Sequence, residues 1–201
     1  NEADLKRIGR RSRNPRYADV LGALCPPGKA PEALRDPCGS FEIYGAAYVD
    51  LPPLLEAMRT DLKTAKCYRE GSFEHHALKQ GSDGNWQYGD VVAKQIVFCE
   101  GAAVTQNPFF PNLPMKPVKG ETLAFSCPEL QLPHSIYHNG KWLLPYGNNR
   151  FRIGATYDEA DHSEQPTAAA KDALLKGLAE ILKEVPPLKI EAHLAGLRPS
   201  T

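Results

Sequence analysis

Two periodicities organise the chain. Val118 to Phe125 begins a strand, and three more short runs follow: Ser135 to His138, Trp142 to Leu144, and Arg150 to Tyr157. Asn139-Gly140 and Gly147-Asn-Asn149 separate them, so they read as successive antiparallel strands joined by tight turns. The other period is helical. Leu51, Leu55, Met58, Leu62 and Ala65 recur on one face; Asp50 stands where a cap belongs, Pro52-Pro53 suit the first turn, and Lys63 and Lys66 suit the C-terminal end. Thr167 opens a second helix with Leu174, Leu178, Ile181 and Leu182 on one side, and Pro186-Pro187 stops it.

The remaining stretches carry weaker patterns. Residues 1–40 are poor in strand signals; Tyr17, Val20, Leu21 and Leu24 predict a short helix over Pro15–Leu24, ended by Pro26-Pro27-Gly28, and a helical turn over Pro31–Arg35. Phe41 to Val49 reads as extended. From Cys67 to Cys99 the pattern is strands and turns, with a hairpin-type turn at Gly81-Ser-Asp-Gly84 and β-rich residues at Val91, Val92 and Ile96 to Phe98. His75 and His76 are adjacent on an expected strand, which would turn them to opposite faces. Gly101-Ala102-Ala103 follows at once, which implies close packing against the backbone. Pro108 to Pro117 is a proline-rich connection. The order predicts an α/β (α+β) fold: a large mixed, mainly antiparallel sheet with flanking helices.

The last stretch, Lys189 to Thr201, reads as a strand that brings Arg198 to a fixed place and stops at Pro199, which has no amide to give a ladder. A guanidinium at a strand end can grip a carboxylate through two parallel hydrogen bonds. Charged residues mostly lie exposed, so the segment alone does not separate a clamp from a surface arginine. Trp142 and Tyr157 on the neighbouring strands would add aromatic walls to such a pocket, although large rings also serve ordinary packing.

Composition narrows the chemistry. Among 201 residues, 24 cations balance 24 anions, which argues against a nucleic-acid or membrane-surface partner. The basic cluster Lys6, Arg7, Arg10, Arg11, Arg13 and Arg16 is too short to reverse that and reads as a solvated helix face. The five cysteines form no Cys-x-x-Cys pair, the pattern of reduced thiols in a cytoplasmic protein. The six histidines are scattered, so no metal site is expected. There is no Gly-x-Gly-x-x-Gly, Walker loop or nucleophile elbow, and no evident acid–base or Ser/His/Asp set. If the protein is an enzyme, a cofactor carries the chemistry.

Several segments in order resemble the FAD-dependent amine and amino-acid oxidases of the D-amino-acid oxidase family, glycine-oxidase-like members above all. They are Tyr48-Val-Asp50, Ile96-Val-Phe-Cys-Glu-Gly-Ala102, Pro117-Val-Lys-Gly-Glu121, Tyr137-His138 with Trp142-Leu-Leu-Pro145, Ile153-Gly-Ala-Thr156 and Ala195-Gly-Leu-Arg-Pro199. The resemblance implies a substrate-binding domain over residues 105–201, part of an FAD-binding domain over 41–104, and a helical segment, 1–40, packed on the substrate domain. It implies that Arg198 binds a substrate carboxylate, that Trp142 (where many members have tyrosine) and Tyr157 border the pocket, and that Phe73, Gly101 and Ala102 approach the cofactor. The implied reaction is oxidation of the amine-bearing carbon of a small amino acid or related amine, with hydride transfer to FAD. The implied partners are that small molecule and the remainder of a longer chain. Without a phosphate-binding glycine motif, this central stretch by itself is expected not to retain FAD. Two alternatives stay open: an oxidase domain of a tRNA-modifying enzyme, and a non-catalytic module that binds a carboxylate or a partner.

Overall fold

A computed structural model describes residues 2–201, with side chains from residue 6 onward. The chain divides into two compact units, residues 1–46 with 117–200 and residues 47–116.

In the first unit, five strands pair in the order β10-β6-β9-β8-β7: β6 (Lys116–Ser126), β7 (Tyr137–Asn139), β8 (Lys141–Gly147), β9 (Arg150–Gly154) and β10 (Lys189–Ser200). The β6–β9, β7–β8 and β8–β9 pairs are antiparallel, the last two joined by the expected turns: Leu123 lies opposite Ile153, and Ile153 opposite Leu143. These three residues are fully buried, and with Phe125 and Phe151 they form the inner face of the sheet. Helix α3 (Ala168–Ile181) covers that face with Leu174, Leu178 and Ile181. The Thr167 hydroxyl accepts from the Ala170 amide at 3.2 Å, so the expected cap forms.

The N-terminal stretch departs from expectation. Helix α1 (Glu2–Arg11) is followed by a 3-10 turn at Pro15–Tyr17, and then by strand β1 (Leu21–Cys25), paired with β2 (Ser40–Ile43). The helix expected over Pro15–Leu24 is therefore a 3-10 turn and a turn followed by strand: partners far along the chain override an apolar spacing that looked helical. Residues 31–35 form a turn whose Leu34 bridges Leu182, while Arg35 donates from Nε to the Leu182 carbonyl at 2.7 Å. That arginine caps the end of α3. Strand β10 also differs from expectation, because it continues through Pro199 to Ser200. It is an edge strand, where the missing proline amide has no neighbour to serve.

The second unit holds helix α2 (Leu51–Thr64) and a three-stranded antiparallel sheet of β3 (Lys79–Gln80), β4 (Trp86–Tyr88) and β5 (Val91–Ala93). Asp50 occupies the cap position of α2 without making the side-chain bond expected of it. Ile96 to Phe98 form no strand, and His75 and His76 lie in a 3-10 turn (His75–Ala77) rather than on one. His75 instead meets the Glu100 carboxylate at 2.7 Å, and Glu100 also accepts from Asn107 at 2.7 Å. No helix among the described residues is long and apolar enough to cross a membrane.

Candidate active site

The outer face of the five-stranded sheet is built by alternation. Leu123, Ile153 and Leu143 point inward, so Thr122, Gly154 and Trp142, one position away on each strand, share the other face in one cross-strand row. Gly120 lies two residues along β6 on that same face. Both glycines are covered by large side chains. A Cβ on Gly154 would collide with the Trp142 indole and stand 2.9 Å from Thr122 Cγ2; a Cβ on Gly120 would overlap the Arg198 guanidinium. Arg198 thus lies on bare backbone. It donates from Nη1 to the Thr156 carbonyl at 3.2 Å, and its Cζ stands 4.5 Å from the centre of the Tyr157 ring, a cation–π distance. The guanidinium is half-buried and has no carboxylate partner among the described residues. With five N–H donors and one carbonyl taken, it keeps donors for an anion.

The expected pair Arg198 and Tyr157 is therefore in contact. Trp142 is one row further along the same face, on its own glycine. Tyr157 is largely exposed, so it forms a rim rather than a wall. In the second unit, Phe73 stacks on Tyr88 with centroids 4.4 Å apart and meets Phe98 edge-on at 5.8 Å. Gly101 has a φ of +56° with open space where a side chain would stand, and Ala102 follows it in the 3-10 segment Gly101–Gln106. These three lie in a different compact unit from the arginine.

Behind the glycine floor, on the inner face of β6, is a polar cluster that reading the sequence did not single out. Lys119 and Glu121 are buried and 3.6 Å apart. Lys119 Nζ donates to Asp161 at 2.5 Å, to Ser163 Oγ at 3.1 Å and to the Gln165 carbonyl at 2.5 Å. Glu121 accepts from the Thr167 amide at 2.8 Å and its hydroxyl at 3.0 Å. His193 of β10 brings Nε2 to 2.8 Å from the Glu121 carboxylate, out of line for a hydrogen bond. Burial pushes the Glu121 carboxyl up, but the Thr167 donors, Lys119 and His193 together outweigh it and hold it below the usual range. The available signal was parity: Lys119 and Glu121 occupy the same alternate positions as Leu123 and Phe125.

The Lys119 hydrogen bond, followed by the Ser163 amide and hydroxyl, lowers the Asp161 carboxyl to about 2. Its ordinary value is about 4, so in that interval the unfolded chain binds more protons than the folded one. The contribution is complete above about pH 4 and is lost as the pH falls through about 2. Asp161→Asn is expected to flatten the acid side of the stability curve over this interval. Denaturant melts at stepped pH read this, and an unaltered slope would remove the pair from the acid response.

A profile described as FAD dependent oxidoreductase (DAO) matches residues 1–201. The chain belongs to that family. Glycine oxidase of Bacillus subtilis is 29% identical over 180 residues, covering 83% of this chain and 48% of the relative. The crystal structure of glycine oxidase from Geobacillus kaustophilus superposes with a TM-score of 0.81 at 22% identity, over 100% of this chain and 56% of that one. Iminodiacetate oxidase from Chelativorans sp. BNC1 gives a TM-score of 0.72 at 22% identity, over 100% of this chain and 58% of that one. The chain thus spans about half the length of these proteins.

Membership implies FAD, and the described residues match it unevenly. A dinucleotide pyrophosphate is held by free amides at a helix N-terminus. Helix α2 opens with Leu51-Pro52-Pro53, which removes two of its leading amides, and the first turn of α3 faces the Glu121 carboxylate. Neither helix offers a phosphate cradle. What this chain does present is a sheet face on which Arg198, a cation with spare donors, lies on a glycine.

Proposed function

We propose that this chain forms the substrate-holding part of an FAD-dependent oxidoreductase acting on the C–N bond of a small amino acid or related amine. One observation carries the reading: the half-buried Arg198 guanidinium lies on the Gly120 backbone of the outer sheet face with donors unspent. The family match and the glycine oxidase relatives support it, as does the likeness in fold to an iminodiacetate oxidase, iminodiacetate being itself an amine bearing carboxylates.

Arg198 receives the substrate carboxylate, and its bond to the Thr156 carbonyl fixes the plane of the fork. Tyr157 covers the guanidinium from the rim and keeps water from one side of it. The Trp142 indole on Gly154 fills space that a longer substrate would need, which favours small side chains. Phe73, Gly101 and Ala102 are assigned to the cofactor side. FAD, when bound in the whole protein, supplies the acceptor for the hydride that leaves the amine-bearing carbon. This chain contributes position, which is what such a reaction asks of a protein.

The test compares amines with and without a carboxylate. Glycine and N-methylglycine are mixed anaerobically with the full-length flavoprotein beside methylamine and dimethylamine, and flavin bleaching is followed. The amino acids are expected to reduce the flavin more efficiently by on the order of a hundredfold or more, since a charge left unpaired at the site penalises the truncated amines. Equal reduction by both groups would remove the carboxylate from the recognition.

A further inference from the structure

We propose that Gly120 is a positioning residue for the Arg198 clamp: its missing side chain is the seat that lets the guanidinium lie flat on β6 and meet a carboxylate. The inference rests on the reading of Arg198 as the carboxylate site and adds a second residue to it.

The backbone at Gly120 adopts no positive φ, so conformational freedom is not what calls for glycine there. The requirement is space. A Cβ at that position would overlap Cζ, Nη1 and Nη2 of Arg198 together. Something would have to yield, and the surroundings decide which. The Lys119 amide donates to the Asp158 carbonyl at 2.8 Å, and the Asp158 amide returns a bond to the Lys119 carbonyl at 3.0 Å. The Glu121 amide donates to Thr156 Oγ1 at 2.9 Å, and the Thr156 amide donates to the Glu121 carbonyl at 3.2 Å. The side chains of Lys119 and Glu121 are locked in the buried cluster on the inner face. Strand β6 is therefore held from both neighbours of Gly120 and from behind. Arg198 is the end of a long, flexible side chain on an edge strand, secured by a single hydrogen bond and one ring. A methyl group at 120 displaces the guanidinium and leaves the strand in place.

Thr156 joins the two halves of this arrangement. Its hydroxyl and amide fix Glu121, and its carbonyl fixes Arg198, so the seat and the fork are referenced to one residue. Lifting the guanidinium off Gly120 breaks its bond to Thr156 and spoils the planar presentation on which two-point carboxylate binding depends.

The experiment is a double-mutant cycle in the full-length, flavin-loaded protein, with Gly120→Ala, Arg198→Leu and the combination. The readouts are the inhibition constant of acetate and the concentration dependence of flavin reduction by glycine and by methylamine. Gly120→Ala is expected to weaken acetate and glycine roughly ten- to a hundredfold, as misplacement of about 1 Å does in other sites, while methylamine reduction holds. In the Arg198→Leu background the same methyl is expected to cost nothing further. Losses that add in the double variant, a loss equal for glycine and methylamine, an unchanged Gly120→Ala protein, or one that no longer folds would each overturn the seat. A protein in which Arg198→Leu itself leaves acetate unaffected would overturn the reading of the clamp, and the seat with it. Gly120→Ala with Arg198→Lys adds a check: the slimmer ammonium clears the methyl, so acetate is expected to bind as it does to Arg198→Lys alone.

Discussion

Arg198→Leu in the full-length protein is expected to lower the efficiency of flavin reduction by small amino acids by roughly 10²–10³-fold, the size seen when one partner of a hydrogen-bonded charge pair is truncated, about 3–4 kcal/mol. The loss should appear mainly as weaker substrate binding. Stability should barely change, because the native contacts of this side chain are modest: one bond to a carbonyl and one partly exposed ring. Arg198→Lys keeps the charge and loses the planar fork, so it should fall between, nearer to the loss of a single hydrogen bond. Anaerobic stopped-flow traces at graded glycine concentrations, paired with thermal melts, separate the two effects. An Arg198→Leu protein that reduces its flavin as well as the parent, at the same glycine concentrations, would end the assignment.

The second large effect is on the opposite face of the sheet, on β6, and should spare recognition at first order. Glu121→Ala removes the acceptor of the Thr167 amide and hydroxyl and the anion beside Lys119 and His193. Losing these charge-assisted hydrogen bonds and leaving the buried Thr167 donors unpaired costs about 2–4 kcal/mol, while Lys119 keeps Asp161 as its counter-ion. For a chain of this size that lowers the melting temperature by on the order of 10 °C. Thr167→Ala loses the cap and one of the same bonds and should cost about 1 kcal/mol. The ordering is the check: if thermal melts place Glu121→Ala no lower than Thr167→Ala, the cluster does not hold the helix to the sheet.

Much of this was legible in the residues, and the failures have identifiable causes. The strands β8 and β9 announced themselves as short runs set off by the turn signals Asn139-Gly140 and Gly147-Asn-Asn149, while in β6 only Leu123 and Phe125 keep an apolar period of two, since Lys119 and Glu121 fill the inward positions before them. Helix α3 did so through its apolar face and Thr167. Leu21–Cys25 did not, since the residues that make it a strand, Ser40–Ile43, lie outside any local window. Pro199 misled because the edge position that tolerates it depends on the order of strands, which is a property of the assembled sheet. At the site, Arg198, Trp142 and Tyr157 were visible as residue types. Gly120 and Gly154 were not, because a glycine in a strand shows what is absent and never what has come to lie there.

Strand β6 sends Lys119 and Glu121 to the inner face and Gly120 to the outer one, so a single parity governs both. Inserting one residue just ahead of Lys119 would reverse every side chain beyond it, exposing the ions and burying the bare position under α3. Insertions and deletions in this stretch are therefore confined to even numbers, and a change of odd length removes the seat of Arg198 and the helix anchor together.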